Sequence, residues 1–257
     1  YKLSTATFDF CEKTKIIKIS GNEYDEKAIE SFLKLITQID KEKKAIFLKI
    51  IGNFDSKFLV QNLIINKSSA DLDKILNMFQ LISKTIQNSK IIFSSEINGI
   101  VKGPAMEIAL SCNFIKAKEN TLLKLDETSH GIIPFLGTTQ RLAKLIGYKN
   151  SLQALLIDKQ ISYEQGLKFK LFNDEVNNCI KIKNKTIFWD HLFTNTFIFY
   201  NSKIHSIYKN KNPAYNAILS IIYESSVCNY EVGLSIEKRW LKWLLGHKLF
   251  SYVEKFD

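Results

Sequence analysis

Two glutamates in this chain stand where packing alone does not call for a charge. Glu107 follows a tight Gly103-Pro104-Ala105 turn and opens an apolar helical run of Met106, Ile108, Ala109 and Leu110. Removing an ionised carboxylate from water is costly unless it is paired, so such a run keeps a charge only where something uses it. Glu127 lies in a second loop, shortly before Gly131 and Pro134. Two carboxylates delivered from two turns to one place can share a reaction as general base and general acid. Plainer roles stand beside this one. Glu107 is also placed as a first-turn glutamate favoured by the helix dipole, and Glu127, next to Asp126, as an exposed loop acid. His130, close to Glu127, reads as an ordinary loop histidine.

The elements that would carry these acids follow from the hydrophobic pattern. Residues 6 to 20 alternate and then run through isoleucines, which predicts two strands meeting in a hairpin around Glu12 to Thr14. Asn22 to Ile39 has apolar residues at helical spacing, and 45 to 52 reads as a buried strand ended by Gly52. Strand, crossover helix and strand is the unit of a parallel sheet. A helix over Asp71 to Gln87 and a strand over 90 to 97 repeat it, leading into the turn at 99 to 105. Short strands are expected at Asn113 to Lys118 and Thr121 to Leu125. From Gly137 the pattern turns helical, with a helix start at Ser162, whose Glu164 and Gln165 fit a cap. Residues 177 to 212 carry no clear punctuation. Helices are expected again near Pro213 and over Gly233 to Lys248, the latter with a stripe of Leu234, Trp240, Leu241, Leu244 and Leu245 as core or interface. The division expected is a core over 1–176 and a helical region over 177–257.

Composition narrows the function classes. The 257 residues are 46% hydrophobic and 24% charged, an ordinary globular balance. The net charge of +10 favours an anionic partner. Its lysines are spread along the chain among acids, and no nucleic-acid-binding signature accompanies them, so a phosphorylated small molecule or simple solubility is the better use of that charge. Cys11, Cys112, Cys179 and Cys228 are widely separated and form no metal-ligand spacing, which points to free thiols, no structural zinc and a reducing compartment, cytoplasm or an organelle matrix. No apolar run approaches the roughly 18 to 20 residues of a membrane-spanning helix.

Three stretches, INGIVKGPAMEIALSCNFIKA, LDETSHGIIPFLGTTQRL and LIGYKNSLQALLIDKQISYEQGLKFKLFNDEV, resemble the enoyl-CoA hydratase/isomerase, or crotonase, superfamily over most of residues 6 to 176. The stretch NKNPAYNAILSIIYESSVCNYEVGLSIEKRWLKWLL is similar to the helical linker that follows the hydratase domain in multifunctional fatty-acid oxidation proteins. The resemblance implies an α/β fold, a crotonase-like spiral of ββα units with a helical C-terminal region. It implies acyl-CoA thioester substrates, no separate cofactor, and hydration of the C2-C3 double bond or double-bond isomerisation in fatty-acid β-oxidation. It also implies oligomers, with a 3-hydroxyacyl-CoA dehydrogenase domain or a thiolase as partner.

Glu107 and Glu127 fall on the two family glutamate positions. The family's oxyanion hole holds the thioester oxygen with two backbone N–H groups. One comes from the residue three before the first glutamate, which here is Pro104 and has no N–H. The other maps to Asn62, within the altered segment Phe58 to Leu63. The expected substrate-binding residues are therefore Asn62, Gly103 and Pro104. The alternative reading is a crotonase-fold domain with impaired or lost catalysis, kept as an acyl-CoA binder or a scaffold for a dehydrogenase partner.

Overall fold

The alternating residues at the N-terminus form a hairpin in the computed structural model, which describes residues 4–56, 68–172, 189–209 and 211–246. Strand β1 (Thr7–Cys11) pairs antiparallel with β2 (Ile16–Ser20), and Phe8 faces Ile19 in the register. In β2 the alternation separates the buried Ile17 and Ile19 from the exposed Lys18. The chain then crosses over through a helix, Glu26–Lys41, whose first turn is capped by Asp25, its carboxylate accepting from the Ala28 N–H at 2.8 Å. Ala28, Ile29, Phe32, Ile36 and Ile39 recur every three or four residues and bury one face of it.

Further crossovers continue the same unit. Strand β3 (Phe47–Gly52) pairs parallel with β2 and with β4 (Ile92–Ile97), and β4 pairs parallel with β6 (Phe114–Ala117). The resulting sheet has the order β1, β2, β3, β4, β6. The helix between β3 and β4, Ser69–Asn88, opens with a capping box in which Ser68 and Asp71 satisfy each other's backbone N–H. Strand β5 (Ile100–Val101) pairs parallel with β7 (Leu122–Lys124), and the helix Gly103–Ser111 lies between them in the chain. That helix is tied to the sheet by Ser95 of β4, whose hydroxyl donates to the Ala109 carbonyl at 3.1 Å.

The Cα positions divide the chain into two compact units. The first contains the sheet and, after an excursion, the short helix Tyr163–Lys168, capped by Ser162 and Gln165 as their spacing predicts. The second comprises Leu125–Ile161 and the C-terminal helices. It starts with a tight 3₁₀ turn at Glu127–His130, closed by Gly131 in the left-handed conformation. A buried segment, Ile132 to Leu136, leads into the helix Thr138–Ile146. Helices follow at His191–Tyr208, Ala214–Ser225 and Tyr230–Gly246. Pro213 stands just ahead of the second of these, as its missing N–H allows. The first of them crosses the stretch that the sequence left unpunctuated, and Phe193, Phe197 and Tyr200 bury its inner side.

Candidate active site

Glu107 lies deeper in its helix than the sequence pattern places it. The helix already begins at Gly103, so the carboxylate projects from its second turn rather than its start. Residues Pro104 to Ser111 are all buried, and Glu107 is 2% exposed. A first-turn glutamate in solvent is thereby excluded. Pro104 occupies the opening turn, where a missing N–H costs nothing to the helix.

The turn before Glu107 is pinned by a residue that the sequence did not single out. Ser56 is buried, and its Oγ accepts from the Ala105 N–H at 2.9 Å while donating to the Lys102 carbonyl at 2.9 Å. The Ser56 N–H also donates to the Lys102 carbonyl, at 3.2 Å, and the Lys102 N–H donates to Phe54 at 2.9 Å. Gly103 bends the chain with φ +64°, and a Cβ there would lie 2.5 Å from the Ser56 carbonyl oxygen, so a side chain is excluded on two grounds. Backbone donors are consequently scarce in this turn. Among the described residues, the Lys102 and Ala105 N–H groups are committed to Phe54 and Ser56, and Pro104 has none. Asn62 and the Phe58 to Leu63 segment lie outside the described residues.

Glu127, in the second unit, is buried at 7% exposure as the first residue of the 3₁₀ turn. The turn is closed by the Ser129 N–H to the Asp126 carbonyl at 2.9 Å and the Gly131 N–H to the Thr128 carbonyl at 3.1 Å. The Ile132 N–H donates to the Glu127 carbonyl at 3.2 Å. His130 is exposed at the end of the turn, in keeping with an ordinary loop histidine. The segment that follows is fastened by the last helix. Tyr230 presents its backbone carbonyl to Gln140 Nε2 at 3.1 Å and its hydroxyl to Arg141 Nη2 at 3.1 Å. The fully buried Glu237 accepts from the Gly137 N–H at 3.2 Å. Gln140 and Arg141 thus fasten this segment to the last helix.

Cys112 is buried, and its thiol donates to the Ile108 carbonyl at 3.5 Å. Trp240, in the stripe read as core or interface, donates from Nε1 to Glu224 within the chain at 3.0 Å. No helix among the described residues is long and apolar enough to cross a membrane.

Comparison with known proteins agrees with this architecture. A profile described as Enoyl-CoA hydratase/isomerase matches residues 22–187. The fatty acid oxidation complex subunit alpha of Shewanella frigidimarina is 38% identical over 89 residues, covering 34% of this chain and 12% of that protein. The subunit alpha of a second Shewanella strain is 30% identical over 119 residues, 46% of this chain and 17% of that protein. The chain therefore spans under a fifth of the length of these relatives. Among solved structures, an enoyl-CoA hydratase from Bacillus halodurans superposes with a TM-score of 0.64 at 17% identity, over 98% of this chain and 99% of that one. One from Mycobacterium avium superposes with a TM-score of 0.64 at 13% identity, over 99% and 96%. At those identities the superpositions establish the fold, and the profile match establishes the rest: this chain belongs to the enoyl-CoA hydratase/isomerase family.

Proposed function

We propose that the chain binds acyl-CoA thioesters and hydrates the C2-C3 double bond of an enoyl-CoA, with Glu107 and Glu127 as base and acid. The observation that carries this reading is the burial of Glu107 in a helix whose other residues around it are apolar. Taking a carboxylate out of water has a folding cost unless it is paired, and proton transfer is a use for a group kept there. Water addition needs one group to take a proton and one to deliver it, which two glutamates supply. The substrate carries its own activated thioester, so the reaction calls for no separate cofactor. Asn62, Gly103 and Pro104 are the substrate-binding residues of this reading. A 3-hydroxyacyl-CoA dehydrogenase would receive the hydrated product, and a thiolase would act only after that oxidation. The division into a core over 1–176 and a helical region over 177–257 belongs to the same proposal, as does a reducing compartment.

A second reading, an impaired or inactive crotonase fold kept for acyl-CoA binding, is favoured by one feature. Pro104 has no N–H and the Ala105 N–H is committed to Ser56. Loss of one oxyanion donor typically lowers the rate about 10²- to 10³-fold, roughly 3 to 4 kcal/mol. The test is crotonyl-CoA hydration by the purified chain, with Glu107→Gln and Pro104→Gly alongside. Turnover abolished by Glu107→Gln and raised by Pro104→Gly supports the hydratase. Measurable CoA-ester binding with no turnover in any of the three selects the second reading.

A further inference from the structure

The turn that carries Glu127 is gripped from two other parts of the second unit, both distant in sequence. Lys159 Nζ donates to Ser129 Oγ at 3.0 Å, and the Lys159 carbonyl accepts from the Leu125 N–H at 2.8 Å. One residue thus holds the chain on both sides of Glu127. Asn212 Nδ2 donates to the Thr128 carbonyl at 2.6 Å, the same oxygen that accepts from Gly131 to close the turn. Its Oδ1 accepts from the Ala214 N–H at 3.0 Å, which fixes the amide against the following helix.

Lys159 is itself held in an unusual state. It takes a left-handed backbone conformation, φ +53°, after a wide helical turn over Gln153–Asp158. For a non-glycine residue that conformation carries strain that surrounding contacts must offset, and wide turns of this kind recur at functional sites. The Tyr208 and Tyr215 rings stack 3.6 Å apart at 5°. The Lys159 ammonium lies 5.4 Å from one centroid and 5.2 Å from the other. Nearly equal distances to two rings so closely stacked place it beside the stack, between the two planes. The rings therefore act as a wall that limits where the lysine can swing, more than as a cation–π face. Tyr208 is fixed in turn by its hydroxyl, which donates to the Leu156 carbonyl at 2.9 Å.

We propose that Lys159 and Asn212 are positioning residues that brace the Glu127 turn and so set the direction of the Glu127 carboxylate. The inference rests on the reading of Glu127 as a catalytic acid or base. A buried carboxylate must meet its reacting atom within hydrogen-bonding distance, and small misplacements of such groups are costly in rate.

The test uses the full chain with Lys159→Met, Lys159→Arg and Asn212→Asp. Lys159→Met keeps the stem and loses the donor, whereas Asn212→Asp keeps the oxygen that caps Ala214 and loses the N–H₂. Each is expected to lower kcat for crotonyl-CoA hydration about tenfold, the scale of one lost hydrogen bond, with KM changed by less than about twofold. Lys159→Arg restores most of kcat. Amide hydrogen exchange at Gly131 and Ile132 is expected to accelerate about tenfold in the first and third variants and to stay slow in Lys159→Arg. Wild-type kcat in both donor-loss variants, or a rise in KM alone, overturns the proposal. If the wild-type chain hydrates nothing, the hydratase reading fails, and exchange alone decides: unchanged protection at Gly131 and Ile132 then overturns the brace.

Discussion

Replacing Ser56 by alanine removes a hydroxyl that ties the Gly103-Pro104-Ala105 turn to the chain just after β3. Two hydrogen bonds disappear, one from Ala105 and one to Lys102. The Lys102 carbonyl retains its bond from the Ser56 N–H, so its loss is limited to about 1 kcal/mol. The Ala105 N–H is in a different position, because Ala105 is fully buried and would keep no acceptor in place of the hydroxyl. A buried donor left unsatisfied costs about 1 to 3 kcal/mol. The expected loss of stability is therefore about 2 to 4 kcal/mol. Guanidinium unfolding followed by far-UV circular dichroism measures it, with the slope checked for an unchanged transition. A loss below about 0.5 kcal/mol, the range of an inconsequential surface change, would refute the account of the turn. Such a result would mean that the backbone hydrogen bonds, the glycine geometry and the helix hold the turn without the hydroxyl.

Two further outcomes are expected. Lys144 is half-buried, with its Nζ near the Tyr230 ring and no hydrogen-bond acceptor among the described residues. Burial, and then the neighbouring Arg141, pushes its pKa down. The folded state thus binds fewer protons than the unfolded chain, so stability rises as pH climbs toward the ordinary lysine range. Lys144→Met is expected to raise stability by about 1 kcal/mol at pH 7, and a lower unfolding midpoint would count against this. On the sheet, Lys49 of β3 pairs with Glu96 of β4 and holds its carboxyl below the usual range. A depressed carboxylate stabilises the fold above its unfolded pKa, and that contribution is lost as pH falls through the folded value. Lys49→Met is expected to cost about 0.5 kcal/mol at pH 7 and nothing once Glu96 is protonated. A difference between the two proteins that persists at pH 2 to 3 would contradict this origin.

The sequence made the sheet legible because each strand and crossover helix carries its own periodicity. The alternation of Ile17, Lys18 and Ile19 and the spacing of Ile29, Phe32 and Ile36 depend only on neighbours in the chain. Caps such as Ser162 with Gln165 are equally local. The helix His191–Tyr208 was not legible, since its outer face keeps Leu192, Ile198, Phe199 and Ile207 exposed. An apolar residue on both sides blurs the stripe that marks an amphipathic helix. The start of the Glu107 helix was missed by four residues for a related reason. Glycine and proline mark a turn by composition, yet here Gly103 and Pro104 supply its first helical turn.

The sequence by itself determined which side chains are available for chemistry and the order in which the elements appear, because residue identity and short-range periodicity are properties of the chain alone. Glu107, Glu127 and the missing N–H of Pro104 were all visible there. Tertiary structure decided how those groups are held. Ser56 meets Ala105 across 49 positions, Lys159 meets Ser129 across 30, and Asn212 meets Thr128 across 84. No local pattern encodes such pairs, since a hydroxyl, an ammonium or an amide gains a partner only when packing brings distant segments to within hydrogen-bonding distance.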